Sequence, residues 1–459
     1  MNRAPIGQMV RATLLWAGVG AFLGCTGTGE TPAAPDGLLS AAKVSSGPSV
    51  TAADPPYGHE GDVSKTVTIT GSGFAAGAQA AWERNGVIDP KIQVLSTQYV
   101  SSTQLVTTIT IASDASIDLY DVSVTNSDRK KGIGYALFEV TQAVAITGTE
   151  IAYSANSNGE LTGRVGNPGA FHFSLSSALD TLGGFGRGFD ISEDGLAVVG
   201  GISNNAPTAQ AYLFTLSAGI WTKTFLPKDP ASCIVVARAV ASDPVTGAAV
   251  LIGGLENGGC YTTQNNMHRK PRLWVPSGGG WAKVALPGGA NSDDFLFDVT
   301  ATGIAVGSAL NQAAVWNPDG PGAWTLTLIG PAGSSLRAIN TAGTLAVGST
   351  PVGGNATGAA YWTRSGTTWS GPFVLPAGCS GAADVDDSGR ILANDCANGN
   401  RRTPAVLLPP YGAGNVVFLG GLGDPRSAID AEGISPQGGW IVGQASLKSS
   451  SVGVYWKLF

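Results

Sequence analysis

One stretch of this sequence combines the residue types and the spacing of a calcium-binding loop. Asp384, Asp386 and Ser388 place side-chain oxygens at alternate positions, Gly389 follows, and Asp395 supplies a carboxylate farther on. Calcium is held by about six to eight oxygen ligands, and loops with this order of residues provide them. The equivalent positions elsewhere in the chain carry the sequences FDISEDG, FDVTATG and RAINTAG. A calcium loop and an ordinary hairpin turn are therefore both open interpretations.

Few other patterns in the sequence could carry catalysis. The string GFGRG at residues 184–188 lacks the GxGxxG spacing of a phosphate loop, and there is no GxSxG elbow or HExxH helix. The histidines are His59, His172 and His268, widely separated along the chain. Neighbouring carboxylates such as Asp386-Asp387 point to opposite faces of a strand, whereas a glycosidase needs a facing pair. The motifs favour a protein that is not an enzyme.

The elements that would position these residues belong to a repeat that fills the last two-thirds of the chain. A regular copy has an aliphatic residue, a glycine four positions later and then a β-branched run. The regular copies are marked by the pairs Ile191 and Gly195, Val299 and Gly303, Ile339 and Gly343, Val385 and Gly389, and Ile434 and Gly438. Two looser copies begin at Ala155 and Val240. The spacing of roughly 45 residues is typical of a four-stranded propeller blade.

We therefore predict an all-β fold with a β-propeller over residues 143–459, which has seven blades, or six if an irregular copy forms none. The repeated glycine is expected in a hairpin with positive φ, and third-strand aromatics such as Trp316 between blades. The last copy ends after its third strand, so residues 143–148 are expected to supply its outer strand and close the ring. Trp440 and Tyr261 lie off the pattern and are candidates for stacking on a sugar.

Residues 46–142 form a separate β unit with alternating strands. Its Gly71-Ser72-Gly73-Phe74 turn, Trp82, Tyr120-Asp121-Val122 and Phe138 resemble the IPT/TIG immunoglobulin-like domain. The resemblance implies a β-sandwich in which the glycines permit a tight turn and Phe74 enters the core. Exported members of that family serve mostly as spacers or interaction modules, and the resemblance implies such a role here.

The propeller copies resemble two families of repeats. Residues 182–204 and 336–350 resemble the bacterial extracellular repeats named for a His-Ala-Phe signature, for which residues 170–173 (AFHF) are the nearest match. Two copies are also kelch-like, with Gly200-Gly201 before Tyr212 and Trp221, and Gly253-Gly254 before Trp274 and Trp281. Both resemblances imply a propeller, and neither implies a fixed catalytic set.

The N-terminus has the pattern of an export signal. Arginines precede an apolar stretch at residues 12–23 that is too short to span a bilayer comfortably. The sequence FLGC, which ends at Cys25, resembles a bacterial lipobox and implies an outer-membrane lipoprotein lipidated at Cys25; a plainly secreted extracellular product is the alternative. Residues 1–25 are thus predicted to be the signal peptide, and the polar, proline-containing residues 26–45 a flexible tether.

The remaining cysteines fit an exported protein. Cys233 and Cys379 each precede the first strand of a repeat, and Cys260 and Cys396 each follow its second strand. Adjacent antiparallel strands bring these positions together, so Cys233–Cys260 and Cys379–Cys396 are predicted disulfides. A zinc site is the alternative, although the sequence contains no CxxC pair.

Composition limits the partners. The formal net charge is −6 without a basic stripe, which disfavours nucleic acid. We expect a non-enzymatic cell-envelope protein whose propeller face binds protein or polysaccharide, which meets the membrane only through its lipid anchor, and which needs no cofactor unless the calcium loop is real. The alternative is a secreted glycan hydrolase or lyase with its site in the propeller channel. Three or more ionisable side chains converging in that channel would favour the enzyme.

Overall fold

Short β-branched and aromatic runs between glycine and proline turns form strands along the chain. The computed structural model describes residues 47–166, 169–175, 179–182, 186–202, 208–257, 268–289, 292–398, 401–423, 429–447 and 450–458. Every element assigned within these ranges is a β-strand, which confirms the predicted all-β class. None of the described residues belongs to a helix long and apolar enough to cross a membrane. The signal peptide with Cys25, the tether, Cys260 and Tyr261 lie outside the described residues.

The strands before residue 142 build a β-sandwich. They are β1 (Ser49–Asp54), β2 (Tyr57–His59), β3 (Lys65–Ser72), β4 (Gln79–Arg84), β5 (Val87–Ile88), β6 (Ile92–Ser101), β7 (Gln104–Ile111), β8 (Asp118–Thr125) and β9 (Lys131–Thr141). One sheet has the order β1-β3-β7-β6 and the other β2-β9-β8-β4-β5. Phe74, Trp82, Tyr120 and Phe138 are buried in one core between them. Gly73 has a φ of 71°, so the turn before Phe74 forms as expected.

The strands after residue 142 form four-stranded blades. The short β10 (Val144–Ala145) comes first in the chain but belongs to the last blade. Blade 1 contains β11 (Ile151–Ala155), β12 (Glu160–Val165), β13 (Gly169–Ser174) and β14 (Asp180–Thr181). Blade 2 contains β15 (Arg187–Ile191), β16 (Ala197–Ile202), β17 (Ala211–Ser217) and β18 (Ile220–Phe225). Blade 3 contains β19 (Val235–Ser242), β20 (Ala249–Asn257), β21 (Arg269–Ser277) and β22 (Gly280–Ala285).

The remaining blades repeat the same antiparallel order. Blade 4 contains β23 (Phe295–Val299), β24 (Ala305–Ala309), β25 (Gln312–Pro318) and β26 (Trp324–Ala332). Blade 5 contains β27 (Ser335–Ile339), β28 (Leu345–Gly353), β29 (Ala356–Ser365) and β30 (Thr368–Val374). Blade 6 contains β31 (Gly381–Val385), β32 (Ile391–Asn398), β33 (Arg401–Leu407) and β34 (Val416–Phe418). Blade 7 consists of β35 (Ile429–Ile434), β36 (Trp440–Leu447), β37 (Ser450–Lys457) and β10.

The seven blades form a closed ring. The first strand of each blade packs against the first strands of both neighbouring blades, and β35 of blade 7 packs against β11 of blade 1. Strand β10 pairs with β37, with Val144 opposite Tyr455 and Ala145 opposite Val454. The prediction of seven blades closed by a strand from the N-terminal side is therefore confirmed. Blades 2 and 3 are joined further, because Gly201 pairs with Val236 across β16 and β19.

Repeated tryptophans hold neighbouring blades together. They occupy third strands and are fully buried at Trp274, Trp316, Trp362 and Trp456. Each indole N–H donates a hydrogen bond to a backbone carbonyl of the preceding blade, namely Pro227 (2.8 Å), Pro287 (2.6 Å), Ile329 (3.0 Å) and Gly420 (2.8 Å). The predicted place of these aromatics between blades is confirmed. Each side chain both fills the interface and satisfies a carbonyl of the neighbouring blade.

The first two strands of the blades are stabilised by turns and by covalent links. The hairpin glycines adopt positive φ as predicted, for example 90° at Gly303, where a side chain would be strained. A disulfide joins Cys379 and Cys396, as the repeat alignment predicted. Cys396 lies within β32, however, and not after it. Cys233 is also disulfide-bonded, and its predicted partner lies outside the described residues.

A buried carboxylate joins the sandwich to the propeller. Glu139 on β9 accepts hydrogen bonds from the backbone N–H groups of Gly421 (3.0 Å) and Gly423 (2.7 Å), which lie after blade 6. The guanidinium of Arg401 lies 3.5 Å from the same carboxylate. Both carboxylate oxygens are thus engaged, and β9 is fixed against the edge of the propeller.

Replacing Glu139 by Gln should weaken this contact while keeping the shape of the side chain. An amide nitrogen cannot accept a hydrogen bond, so one glycine N–H loses its partner at a cost of about 1–3 kcal/mol. We expect a lower urea midpoint and faster proteolysis near residue 142. Glu150→Gln is the control, because Glu150 belongs to a half-exposed ion pair with Arg164 worth about 0–1 kcal/mol. Equal midpoints for both variants would contradict the coupling role of Glu139.

Candidate functional site in the propeller channel

The first strand of every blade carries a β-bulge at the same place. One residue is skipped in the pairing of the first strand with the second in all seven blades. The skipped residues, in the order of the blades, are Tyr153, Phe189, Arg238, Phe297, Arg337, Ala383 and Glu432. A bulge redirects its side chain out of the regular alternation of the strand. All seven residues line one cavity in the channel. The residue at this single position of the repeat therefore determines which chemical groups each blade contributes to the cavity wall.

The cavity has the size and the lining of a ligand site. Its volume is about 480 Å³, and small-molecule pockets typically occupy about 300–1,000 Å³. Hydroxyl and amide side chains line the wall at blades 5 and 6, where Ser349, Thr357, Ser380 and Asn394 contribute. Ala383, the smallest bulge residue, leaves space on that side. The cavity therefore has a charged and aromatic wall facing a neutral polar wall.

Aromatic and arginine side chains alternate over blades 2 to 5, and blade 1 adds a second aromatic ring. The rings of Tyr153 and Phe189 are 5.1 Å apart. The Arg238 guanidinium lies 5.5 Å from the ring centroid of Phe189 and 5.2 Å from that of Phe297. The Arg337 guanidinium lies 4.2 Å from the Phe297 centroid. These cation–π contacts orient both guanidinium groups without neutralising their charge.

The two channel arginines form no direct salt bridge with a described residue, and the Glu432 carboxylate acts on both only at longer range. Neither Arg238 nor Arg337 makes a hydrogen bond or an ion pair with any residue that the structure describes, and the Arg238 Nε is buried without a partner. Burial and the positive charges of Arg337 and Arg269 lower the pKa of Arg238 to about 10, so Arg238 remains cationic at neutral pH. A shielded cation without a partner costs free energy. A bound anion would offset that cost.

Glu432 is the one carboxylate among the described residues that line this cavity. Burial raises its pKa, with a contribution from the negative charge of Asp430 and opposition from Arg337 and Arg238. In the described part of the chain no cation lies within 4.0 Å of the Glu432 carboxylate. The cavity thus retains an excess of positive charge.

Asp190, Asp298 and Asp384 are three of the five aspartates that line a second cavity, of about 570 Å³, along the same channel. Asp190, Asp298 and Asp384 directly follow the bulge residues of blades 2, 4 and 6. Each accepts a hydrogen bond from a backbone N–H of the next blade, namely Val240 (2.7 Å), Ile339 (2.9 Å) and Ile434 (2.8 Å). Burial raises the pKa of all three, to about 6 at Asp190 and about 7 at Asp298. Their observed contacts join the blades in pairs.

The structure does not bring the predicted calcium ligands together. Asp384 bonds to blade 7, whereas Asp386 turns back into its own hairpin and accepts a hydrogen bond from the Ser388 hydroxyl at 2.8 Å. The Asp395 carboxylate accepts a hydrogen bond from Ser380 instead. Within the described ranges, no three His, Cys, Asp or Glu side chains are placed to hold a metal ion. The segment forms the same hairpin turn as the other blades.

Two other sequence candidates have roles in packing or in secondary structure. The Trp440 side chain is buried and contacts the Tyr455 ring at 5.7 Å, so its faces are not free for a sugar. The described part of the glycine-rich string at residues 184–188 leads into β15, which begins at Arg187. Its geometry is that of a strand entry and not of a phosphate loop before a helix.

The sequence analysis missed the bulge residues, although a signal for them exists. Each lies two positions before the aliphatic residue that marks its repeat. Aligned on that residue, the copies carry Tyr, Phe, Arg, Phe, Arg, Ala and Glu at this position, while the aliphatic marker and the glycine beyond it persist. A position that carries aromatic, cationic, small and anionic residues in different copies of one repeat is a candidate for recognition, because packing positions such as the aliphatic marker keep their chemistry.

No protein-family model matches this chain, and no curated protein matches it. Among solved structures, the chain is similar to TolB from Acinetobacter baumannii, with 13% identity, a TM-score of 0.31 and coverage of 53% of this chain. The match spans 57% of the TolB chain. The propeller architecture described above follows from the sheet order and from the ring of first strands.

Proposed function

We propose that this protein is an exported binding protein of the bacterial cell envelope that holds its ligand in the channel cavity of its propeller. The support is one observation: Arg238 and Arg337 are oriented in a cavity of about 480 Å³ without a salt bridge or hydrogen bond to any described residue, and the single carboxylate of the lining, Glu432, does not balance their two charges. Unpaired shielded charge is retained where it serves a ligand. The sandwich would act as the support that carries the propeller away from the membrane.

Two features support export. A disulfide between Cys379 and Cys396 fits a compartment outside the cytoplasm. The N-terminal sequence up to Cys25 resembles a lipoprotein signal, so an outer-membrane lipoprotein or an extracellular product is the proposed location. Mass spectrometry of the mature N-terminus tests this: a lipidated N-terminal Cys25 is expected, and an unprocessed cytoplasmic chain would contradict the proposal.

A glycan hydrolase or lyase is the second candidate. Arg238, Arg337 and Glu432 converge in the channel, which is the arrangement expected to favour an enzyme, and the raised pKa of Glu432 suits a general acid. Hydrolysis of a glycoside, however, uses two carboxyl groups about 5–9.5 Å apart. Glu432 is the single carboxylate among the described residues of this cavity. Asp190, Asp298 and Asp384 of the second cavity are engaged as links between blades, and binding is therefore the preferred function.

A binding and turnover screen separates these functions. The purified full-length chain is exposed to envelope polysaccharides and proteins, and both capture and product release are recorded. We expect capture without turnover, and loss of capture in Arg337→Gln. Arg364→Gln is the matched control, because Arg364 lines a different cavity of the same propeller. Turnover that disappears in Glu432→Gln would establish the enzyme instead, and capture unaffected by Arg337→Gln would move the site elsewhere.

A further inference from the structure

We propose that the channel cavity recognises the carboxylate of an acidic sugar, with Arg238 and Arg337 as its two anchors, so that the ligand is a uronate-containing polysaccharide. This inference rests on the proposed binding function and adds the class of ligand. Its starting point is the pair of guanidinium groups on blades 3 and 5, which share the Phe297 ring of blade 4.

The choice of arginine indicates a planar oxyanion. A guanidinium presents its N–H donors in a rigid fork that matches a carboxylate with two parallel hydrogen bonds, which a lysine ammonium cannot do. Phe297 lies within 4.2–5.2 Å of both guanidinium groups and restricts their rotation before any ligand arrives. Less orientational freedom is then lost on binding. The Arg238 Nε is buried without a hydrogen-bond partner, so the hydrogen-bonding capacity of this guanidinium is not used up by the described residues.

The neutral wall of the cavity favours a sugar over a peptide. Ser349 and Thr357 bring hydroxyl groups to this wall, which suits a ligand with many hydroxyls. The Asn394 amide is held by hydrogen bonds to the backbone of Ala431 and lines the wall without a free donor pair. A peptide would be expected to extend a sheet edge by backbone pairing. Most first strands are edge strands with one paired neighbour, so an acidic peptide bound by strand pairing is the competing ligand that the titration below distinguishes from a sugar.

The small side chain of Ala383 on blade 6 leaves the free volume in which we place the sugar ring. The six other blades place a larger side chain at the bulge, and Ala383 alone leaves the cavity open toward Ser380 and Asn394. Ala383→Leu fills this space without any change of charge. It should therefore block the sugar while leaving both arginines in place, which separates a steric requirement from an electrostatic one.

Calorimetric titration with defined probes tests the inference. Trigalacturonate is compared with its methyl ester, which lacks the negative charge, and with maltotriose. We expect trigalacturonate to bind, its ester to bind at least ~10-fold more weakly, and Arg238→Gln or Arg337→Gln to raise the Kd by ~10- to 100-fold each. Ala383→Leu should abolish binding, and Arg364→Gln should leave the Kd unchanged.

The stability of the variants provides a second readout. Because Arg238 is a shielded cation without a partner, Arg238→Gln should give a Tm equal to or above that of the parent chain while it weakens binding. A purely structural arginine would give a lower Tm. A lower Tm in Arg238→Gln together with an unchanged trigalacturonate Kd would overturn the assignment.

The remaining outcomes distinguish this inference from the proposed function. Equal binding of the ester, absence of trigalacturonate binding at millimolar concentration, or tighter binding of inorganic phosphate or of an acidic peptide would each overturn the uronate assignment. If Arg337-dependent capture of another ligand persists in such a case, the binding function stands. If trigalacturonate is bound and cleaved, the recognition of the carboxylate stands and the non-enzymatic function falls.

Discussion

Trp316→Ala is expected to lower the free energy of unfolding by about 3–5 kcal/mol, the cost of emptying a large buried site. The Trp316 ring is fully buried in a cluster that joins blades 3 and 4, and it contacts apolar residues such as Leu273 and Leu296. Its indole N–H donates to the Pro287 carbonyl at 2.6 Å. The substitution removes both the apolar filling of the interface and the partner of a carbonyl. Urea unfolding followed by tryptophan fluorescence measures the loss.

Two further variants divide this loss into its parts. Trp316→Phe keeps most of the apolar surface but leaves the Pro287 carbonyl without its donor, so we expect a loss of about 1–2 kcal/mol. Trp369→Ala is the control, because Trp369 on a fourth strand is only partly buried and its indole N–H makes no bond to a described residue of a neighbouring blade, so its removal should cost less, about 1–2 kcal/mol. If Trp316→Ala costs no more than Trp369→Ala, the repeated tryptophans do not hold the blades together.

The repeat made the propeller predictable because its signal is local. A hairpin glycine such as Gly303 and a third-strand aromatic such as Trp316 each satisfy a requirement within one blade, and that requirement recurs in the other copies. Closure by Val144 and Ala145 followed from counting strands in the last copy, since a ring leaves no free edge. These features need only short-range pattern and topology, and the structure agrees with them.

The channel site was not predictable in the same way. A regular strand would place Arg238 and Arg337 by simple alternation, but a bulge shifts them into the channel, and bulges have no strong sequence signature. The calcium string failed for a related reason. Asp384 and Asp386 are close in sequence, yet one bonds to the neighbouring blade and the other to its own turn, and only the tertiary structure separates these roles.

The aspartates of the channel should make the protein less stable as the pH rises from 5 to 8. The pKa of Asp298 is raised from about 3.8 to about 7 by burial and by the negative charge of Asp190. When folding raises the pKa of a carboxyl group, its protonation stabilises the folded state. This stabilisation is fully present when the pH is below the pKa of the group in the unfolded chain, near 3.9, and it is lost as the pH rises through the pKa of the group in the folded protein. Asp190, with a pKa raised to about 6, and Asp384 act in the same direction.

The size of the effect follows from the shift at Asp298. One pKa unit corresponds to about 1.4 kcal/mol, so Asp298 alone should contribute on the order of 2 kcal/mol of lost stability between pH 5 and 8. Groups whose pKa is lowered, such as Asp62 and Glu160, act in the opposite direction only below about pH 4 and do not compensate in this range. Urea midpoints at each pH unit from 5 to 8 measure the slope.

Asp298→Asn isolates the origin of that slope. At pH 5 the Asp298 carboxyl group is protonated, but both of its oxygens can still accept the backbone hydrogen bonds from Val299 and Ile339. The amide of the variant can accept only one of them, so the variant should be about 1–3 kcal/mol less stable at pH 5. It cannot ionise, and it removes the negative charge that raises the pKa of Asp384, so its stability should fall less steeply toward pH 8. The exposed Asp319→Asn should retain the parental slope. If the slope of Asp298→Asn also equals that of the parent, the pH dependence arises outside the channel, and the aspartates act only as links between blades.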